Sequence, residues 1–103
     1  MSTSVTSLPN SATVAALVQL SRVLALELAP HGVRVDAITP GYIDTPLTRQ
    51  HAPETRRRII NLAPHGRFGD RNELIGPAAF LASDASSFVT TTTITIDGGW
   101  TAQ

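Results

Sequence analysis

The sequence predicts an α/β fold that is one part of a doubly wound parallel sheet, with two parallel strands and three helices. The first observation is the order of the elements, which is helix, strand, helix, helix, strand. Two strands joined by helices normally pair in parallel through a right-handed crossover. The second observation is that only two strands are predicted. A strand in a parallel sheet normally has both faces covered and other strands beside it. A two-stranded parallel sheet is therefore expected to belong to a larger domain.

The amino-acid composition argues against several classes of protein and of binding site. The 103 residues carry eight basic and eight acidic side chains, for a net charge of zero, and they include no cysteine. A neutral chain is not typical of proteins that bind nucleic acid or anionic membranes. Without cysteine there is no disulfide and no thiolate metal site. No signal peptide or bilayer-spanning apolar run is expected, so we predict a cytoplasmic protein without nucleic-acid or membrane partners.

The chain is expected to open with a flexible leader over residues 1–10, which are rich in serine and threonine. Asn10 or Ser11 then caps a helix that runs to about Ala29. Apolar residues lie on nearly every side of this helix, which is typical of a helix buried on more than one side. Gly32 suits the left-handed position past the helix end.

The next two elements are a strand and a short helix. Residues 33–38 alternate β-branched side chains and predict a strand, which a loop from Thr39 to about His51 follows. Pro53 is favourable at the first position of a helix that continues through Leu62.

The last helix and strand have clear boundary signals. Asp70 and Glu73 have capping-box spacing and predict a helix that runs to about Ser83. Gly76-Pro77 lies inside that segment and predicts a kink or a shortened first turn. Thr92–Ile96 predicts the second strand, and Asp97 before two glycines is interpreted as a turn former rather than a catalytic acid.

Other candidate sites are weaker. The three histidines, His31, His51 and His65, are scattered beside proline or glycine, so loop positions are favoured over a metal site. The run Arg56-Arg57-Arg58 is interpreted as a solvated helix face rather than an anion site, because no phosphate-binding loop accompanies it.

Four segments together resemble the short-chain dehydrogenase/reductase family, and in particular its members like gluconate 5-dehydrogenase and 3-oxoacyl-carrier-protein reductase. The similarity covers residues 11–103 and implies a partial NAD(P)-binding, Rossmann-like domain, namely the C-terminal part of its doubly wound parallel sheet. The four segments, in chain order, are Leu20–Ala29, Pro40–Thr45, Arg67–Asp84 and Ile96–Trp100.

The resemblance implies a site at the loop that contains Pro40 and Gly41. Loops at the carboxyl ends of parallel strands bind ligands in open α/β sheets. Pro40 fixes φ and Gly41 lets the backbone approach a flat ring closely. In the family, backbone groups near Ile43 and the hydroxyl of Thr45 would face the nicotinamide of NAD or NADP. The alternative is that Pro-Gly merely turns the chain.

The departures from the family are equally informative. The family moves protons with a Tyr-x-x-x-Lys pair, but this chain has no lysine, and Tyr42 is its only tyrosine. In the family register Asn10 and Val14 stand at the two positions, and neither residue can replace a phenol and the cation that lowers its pKa. No glycine-rich phosphate loop occurs either. Asp36 stands where the family usually has asparagine, and Thr91 where it usually has glycine.

Three functional hypotheses follow. The first is a truncated or degenerate dehydrogenase with no catalytic residue of its own. The second is an interaction module that pairs with itself or with a full-length relative, since the resemblance implies that these helices build subunit interfaces. The third, an enzyme with relocated chemistry, has no acid–base pair in its favour.

Overall fold

A computed structural model describes residues 2–103, with side chains from Ala12 onward. Helix α1 spans Ser2–Leu28 and is followed by a 3-10 turn, Ala29–His31. Gly32 ends this turn with φ of 71°, as the sequence predicted. The helix thus begins before the predicted cap at Asn10 or Ser11, although serine and threonine are weak helix formers and Pro9 lies within it. The flexibility of residues 1–10 stays a prediction.

Two strands form a parallel sheet. Strand β1, Ala37–Pro40, pairs with β2, Thr93–Ile96, in a register that places Ala37 beside Thr93. This parallel pair of strands confirms the predicted α/β class. The chain between the strands forms α2, Pro53–Leu62, and α3, Ile75–Ala82.

The first strand is displaced from its predicted position over residues 33–38. Val35 lies beside the loop that precedes β2. Its N–H donates to Thr90 Oγ1, and its carbonyl accepts from Thr91 N. Thr91 has φ of 64°, so the chain opposite Val35 does not continue as a regular ladder. The regular β ladder instead begins at Ala37, whose N–H donates to Thr92 O at 2.9 Å.

Arg34 and Asp36 connect β1 to α3 and β2. Arg34 donates to the carbonyl of Leu81 at the end of α3, at 2.9 Å, and to that of Val89, at 3.2 Å. Asp36, with 4% of its side chain exposed, lies 3.6 Å from Arg34 and accepts from Thr92 N at 3.0 Å. The carboxylate found where the family usually has asparagine is therefore paired and hydrogen-bonded, as a buried charge requires.

The third helix begins with the predicted capping box. Asp70 accepts from Asn72 N, and Glu73 accepts from Asp70 N, both at 2.8 Å. A 3-10 turn, Arg71–Leu74, precedes the α-helical part, and Pro77 lies in the first turn of α3. The irregularity expected at Gly76-Pro77 therefore takes the form of this 3-10 turn.

We expected no apolar run long enough to span a bilayer, and this expectation is wrong: one segment is long and apolar enough to do so. Within α1 and the turn after it, Ala12–His31 has a mean hydropathy of 1.5 and is 11% buried inside the chain. This finding is weak evidence for a membrane span, because core helices of soluble proteins pass the same test. The segment also contains Arg22 and Glu27, which are costly inside a bilayer.

Candidate functional site

The candidate site lies at the carboxyl ends of β1 and β2. Gly41 N donates to Ile96 O at 3.0 Å, which fixes the start of the Pro-Gly loop against the end of β2. A Cβ on Gly41 would lie 2.5 Å from Asp97 Cβ. Gly41 is therefore required for the close approach of two chain segments, and in this structure the segment that approaches it belongs to the protein itself.

Ile43 holds the loop to the segment that precedes α3. It forms an isolated parallel bridge with Gly69. The flanking hydrogen bonds, Gly69 N to Tyr42 O and Asp44 N to Gly69 O, are both 2.8 Å long. Ile43 is 8% exposed, so its side chain belongs to the small core while its backbone faces the loop.

Thr45 and Thr48 close the loop with reciprocal hydrogen bonds. Thr45 N donates to Thr48 Oγ1 at 2.8 Å, and Thr48 N donates to Thr45 Oγ1 at 3.2 Å. The hydroxyl of Thr48 in turn donates to Ile43 O at 2.7 Å. The carbonyl of Ile43 and the hydroxyl of Thr45, which are among the groups expected to face a nicotinamide, thus already have partners within the loop.

Thr48 is the residue that the sequence analysis missed. The signal was the pair Thr45-Pro46, because threonine caps helical turns and proline is favourable at the first helical position. The 3-10 turn Thr48–Gln50 begins one residue after that pair, with Leu47 between them. Thr48 is therefore the residue that shapes the loop around Thr45.

Asp44 and two arginines fix the outer side of the loop. Arg49 donates to both carboxylate oxygens of Asp44, at 3.0 and 3.1 Å. Arg56 lies 3.7 Å from the same carboxylate and donates to Thr48 O at 3.0 Å. The hydrogen bonds from Arg49 lower the pKa of Asp44, and its carboxylate raises that of Arg49.

Arg56 differs from its two neighbours in the arginine run. Its guanidinium lies 4.3 Å from the ring centroid of Phe68, a cation–π distance. Arg57 and Arg58 are exposed. The interpretation as a solvated face therefore fits these two arginines, whereas Arg56 ties α2 to the loop.

A cleft of about 380 Å³ lies beside the loop. Tyr42 and Trp100 line this cleft, and their rings meet edge to face with centroids 5.0 Å apart. Tyr42 also makes an edge-to-face contact with Phe68, at 6.0 Å. The sole tyrosine is thus packed as part of an aromatic cluster. The cleft is also lined by Ile43, His65, Arg67, Gly69, Glu73 and residues 95–99.

Two ionisable groups of the cleft, Arg67 and Glu73, are paired with each other. Arg67 donates to both carboxylate oxygens of Glu73, at 2.7 and 3.1 Å. These bonds, with one from Asp70 N, lower the pKa of Glu73 from 4.5 to about 2. The same carboxylate raises the pKa of Arg67. Both side chains stay charged at neutral pH, so neither acts as a general acid or base there.

Asp97 has the structural role that the sequence indicated. It accepts hydrogen bonds from Gly99 N at 2.9 Å and from Thr101 N and Oγ1 at 3.0 and 2.7 Å. Burial raises its pKa, but these hydrogen bonds outweigh burial and the pKa is lowered. Gly98 and Gly99 both have positive φ, as a tight turn after the strand requires.

Within residues 2–103, no group of three or more histidine, cysteine or acidic side chains is arranged to hold a metal ion. Of the three histidines, His65 lines the cleft. Of the predicted site residues, Pro40 is the last residue of β1, and Gly41, Ile43 and Thr45 lie in the loop that follows it.

Comparisons with known proteins identify the family to which this chain is similar. The family described as enoyl-(acyl carrier protein) reductase matches residues 6–101. A 2-dehydro-3-deoxy-D-gluconate 5-dehydrogenase from Dickeya dadantii is 44% identical over 95 residues, which are 90% of this chain and 38% of that protein. A 3-oxoacyl-acyl-carrier-protein reductase from Thermotoga maritima is 40% identical over 86% of this chain and 36% of its own length.

A solved structure agrees with these relatives. The crystal structure of a 3-oxoacyl-acyl-carrier-protein reductase from Brucella melitensis superposes with a TM-score of 0.80 and 40% identity, over 85% of this chain and 33% of that one. The chain belongs to the short-chain dehydrogenase/reductase family of oxidoreductases. It spans little more than a third of the length of the curated relatives it matches.

Proposed function

We propose that this chain is a truncated or degenerate short-chain dehydrogenase/reductase that does not itself transfer hydride. The observation that carries the proposal is the absence of lysine together with a single tyrosine, Tyr42, that packs between Phe68 and Trp100. The family reaction needs a phenol poised by a cation. In the cleft, Arg67 and Glu73 are already paired with each other, and Asp97 accepts hydrogen bonds from the turn that follows it.

Nicotinamide cofactors are proposed to bind this chain weakly or not at all. Pro40, Gly41, Ile43 and Thr45 are candidates for the nicotinamide side of NAD or NADP. However, Ile43 O and the Thr45 hydroxyl already bond to Thr48, so a carboxamide would compete with these internal bonds. The glycine-rich turn that would supply helix-terminal donors to a pyrophosphate is absent from the sequence.

The activity is tested with purified chain, NAD(H) and NADP(H), and a panel of sugar alcohols and 3-oxoacyl thioesters. A full-length family relative run in parallel is the positive control. No turnover above the buffer blank is expected, with or without Tyr42→Phe. Turnover that scales with this protein and is lost in Tyr42→Phe would contradict the proposal.

Cofactor binding is tested by calorimetry with NAD and NADP. We expect no saturable heat at micromolar cofactor, and the same flat titration for Thr45→Val. Saturation in the low micromolar range that Thr45→Val weakens would show that the loop retains a nicotinamide site.

A second candidate function, an interaction module, is favoured by the exposure of α1. Leu17, Leu20 and Leu24 are 50%, 53% and 37% exposed. Burying one such side chain stabilises an assembly by about 1.5–3 kcal/mol. We propose that α1 associates with a second copy of this chain or with a full-length relative.

A protein partner suits α1 better than a bilayer. Arg22 and Glu27 lie on this helix, and a basic residue at a membrane centre costs about 2.5–3.5 kcal/mol. Light scattering over a concentration series, beside flotation with liposomes, separates the two partners. Growth in mass without flotation supports the module, whereas flotation of the chain would overturn both this choice and the predicted cytoplasmic location.

A further inference from the structure

The turn after β2 contains a backbone step that is prone to chemical rearrangement. Asp97-Gly98 is the one place in the sequence where aspartate or asparagine precedes glycine. At such a step the backbone nitrogen of glycine can attack the carboxyl carbon of aspartate, because glycine has no side chain to hinder the approach. Gly98 is exposed, and among the described residues none accepts a hydrogen bond from Gly98 N. The attacking nitrogen is therefore free, and water reaches it.

The rearrangement needs only water. Gly98 N forms a bond to Cγ of Asp97, and one carboxyl oxygen leaves as water with two protons, one from the carboxylic acid and one from the amide. The product is a cyclic succinimide. Water then opens this ring, and opening at the original backbone carbonyl gives isoaspartate, whose main chain runs through Cβ and Cγ. The net change in mass is zero.

Hydrogen bonds within the folded turn oppose this reaction. Oδ1 of Asp97 accepts from Gly99 N at 2.9 Å, and Oδ2 accepts from Thr101 N and Oγ1 at 3.0 and 2.7 Å. Whichever oxygen leaves has to give up these bonds first. It also has to be protonated, whereas the hydrogen bonds outweigh the effect of burial and lower the pKa of Asp97. The rearrangement is therefore slow while the turn is closed.

Isoaspartate does not fit the closed turn. On one side, Cβ and Cα of Asp97 would lie 2.5 and 2.8 Å from a methyl group on Gly41. On the other side, a Cβ on Gly98 would lie 3.3 Å from that of His65. Isoaspartate adds a methylene to the main chain between these two close contacts, so the closed turn cannot make both of them again.

We propose that Asp97-Gly98 is a modification site, where isoaspartate forms once the turn opens and then prevents the turn from closing again. Because Gly41 and Asp97 join the Pro-Gly loop to the end of β2, a turn held open releases that loop from the sheet. The amount of isoaspartate then records how long the chain has spent with this turn open, since local opening limits the reaction. The inference does not rest on the proposed function, because neither a cofactor nor a partner takes part.

Incubation of the purified chain at neutral pH, in native buffer and in concentrated urea, tests the protection by the turn. Peptide mapping with electron-transfer fragmentation locates isoaspartate, and methyl transfer by an isoaspartyl methyltransferase counts it. Conversion of Asp97 is expected to be at least about tenfold slower in native buffer than in urea. Asp70, which precedes arginine, is the internal control and is expected to stay unmodified in both.

Thr101→Val tests the hydrogen bonds to the carboxylate. It removes the hydroxyl that donates to Asp97 Oδ2, and it is expected to speed conversion in native buffer by about 2–10-fold, the equivalent of one net hydrogen bond. Thr95→Val is the matched control, because the Thr95 hydroxyl bonds to Thr39 and not to Asp97. The variants are compared at temperatures that give them equal free energies of unfolding, and each rate is divided by that of the same variant in urea.

The modified chain, separated by chromatography and returned to native buffer, tests the consequence. The Gly41 amide, which donates to Ile96 O at 3.0 Å, is expected to exchange hydrogen faster than in the unmodified chain. The Ala37 amide, bonded to Thr92 O at the other end of β1, is the internal control and is expected to change less.

Each measurement has an outcome that contradicts the inference. No isoaspartate at position 97 in urea would overturn the site, and equal conversion in native buffer and urea would overturn protection by the turn. Equal rates for Thr101→Val and Thr95→Val would show that the bonds to the carboxylate do not restrain the reaction. Unchanged exchange of the Gly41 amide in the modified chain would show that isoaspartate does not hold the turn open.

Discussion

Gly41 and Asp97 approach so closely that a methyl group on Gly41 would lie 2.5 Å from Cβ of Asp97 and 2.8 Å from its Cα. The contact joins the end of β1 to the turn that follows β2. It fixes the Pro-Gly loop relative to the cleft without any ligand, because both sides of the contact belong to the chain.

Gly41→Ala is therefore expected to lower the free energy of unfolding by about 1–3 kcal/mol, since backbone has to shift to admit the methyl group. The matched control is Gly76→Ala in α3, where a new Cβ meets nothing within 4 Å and helix propensity favours alanine by up to about 1 kcal/mol. Urea unfolding followed by circular dichroism measures both. Equal and small changes in the two variants would contradict the predicted contact.

Thr91→Gly is expected to stabilise the chain. Among the described residues Thr91 is the only non-glycine with positive φ, 64°, and its side chain is exposed. The left-handed conformation costs a residue with a Cβ about 1–2 kcal/mol, and the greater chain entropy of glycine offsets part of the gain. The expected net increase in the free energy of unfolding is about 0.5–1 kcal/mol.

Thr92→Gly is the control for Thr91→Gly, because Thr92 has no positive φ. It is expected to lower the free energy of unfolding through the entropy of glycine alone. Thermal unfolding of both variants would test the contrast, and destabilisation by both would show that position 91 carries no backbone strain.

Acid is expected to weaken the fold through Glu73. Its pKa falls from 4.5 to about 2 on folding, because Arg67 and Asp70 N bond to its carboxylate. The unfolded chain therefore takes up the proton first, so the stabilisation is complete above about pH 4.5 and is lost as the pH falls towards 2.

Glu73→Gln is expected to reduce the slope of the acid limb of a stability–pH curve measured by urea unfolding, since one of the groups that titrate there is removed. Asp44 and Asp97, whose pKa values are also lowered on folding, retain the rest of the slope. Glu27→Gln, an exposed change on α1, is the control that keeps the slope. A Glu73→Gln curve parallel to that of the unsubstituted chain would show that the Arg67 pair does not persist in solution.

Local signals predicted those parts of the fold that depend on neighbouring residues. The proline at position 53 and the capping box of Asp70 and Glu73 gave the starts of α2 and of the turn before α3, because each signal acts within one helical turn. Strand β1 begins later than predicted because its extent depends on pairing with residues 93–96, more than fifty residues further along the chain. Periodicity shows that residues are extended but not what they pair with.

The candidate site likewise contains residues that the sequence predicted and one that it did not. Pro40, Gly41, Ile43 and Thr45 were identified through a family resemblance that the comparisons confirm, although their role towards a cofactor stays a prediction. Thr48 was missed because a hydroxyl that bonds several backbone groups leaves no periodic pattern in the sequence.

Replacing both Leu17 and Leu24 by glutamate is expected to abolish self-association. Both side chains are exposed on α1, and burying each stabilises an assembly by about 1.5–3 kcal/mol. A carboxylate at the same positions adds the cost of removing a charge from water. Because these side chains are exposed in the single chain, the secondary structure of the variant is expected to persist.

Gln19→Glu, an exposed change on the same helix, is the control for added charge. Light scattering at matched concentrations should give a smaller mass for the double variant and an unchanged mass for the control. A double variant that associates as strongly as the unsubstituted chain would show that α1 is not part of the interface.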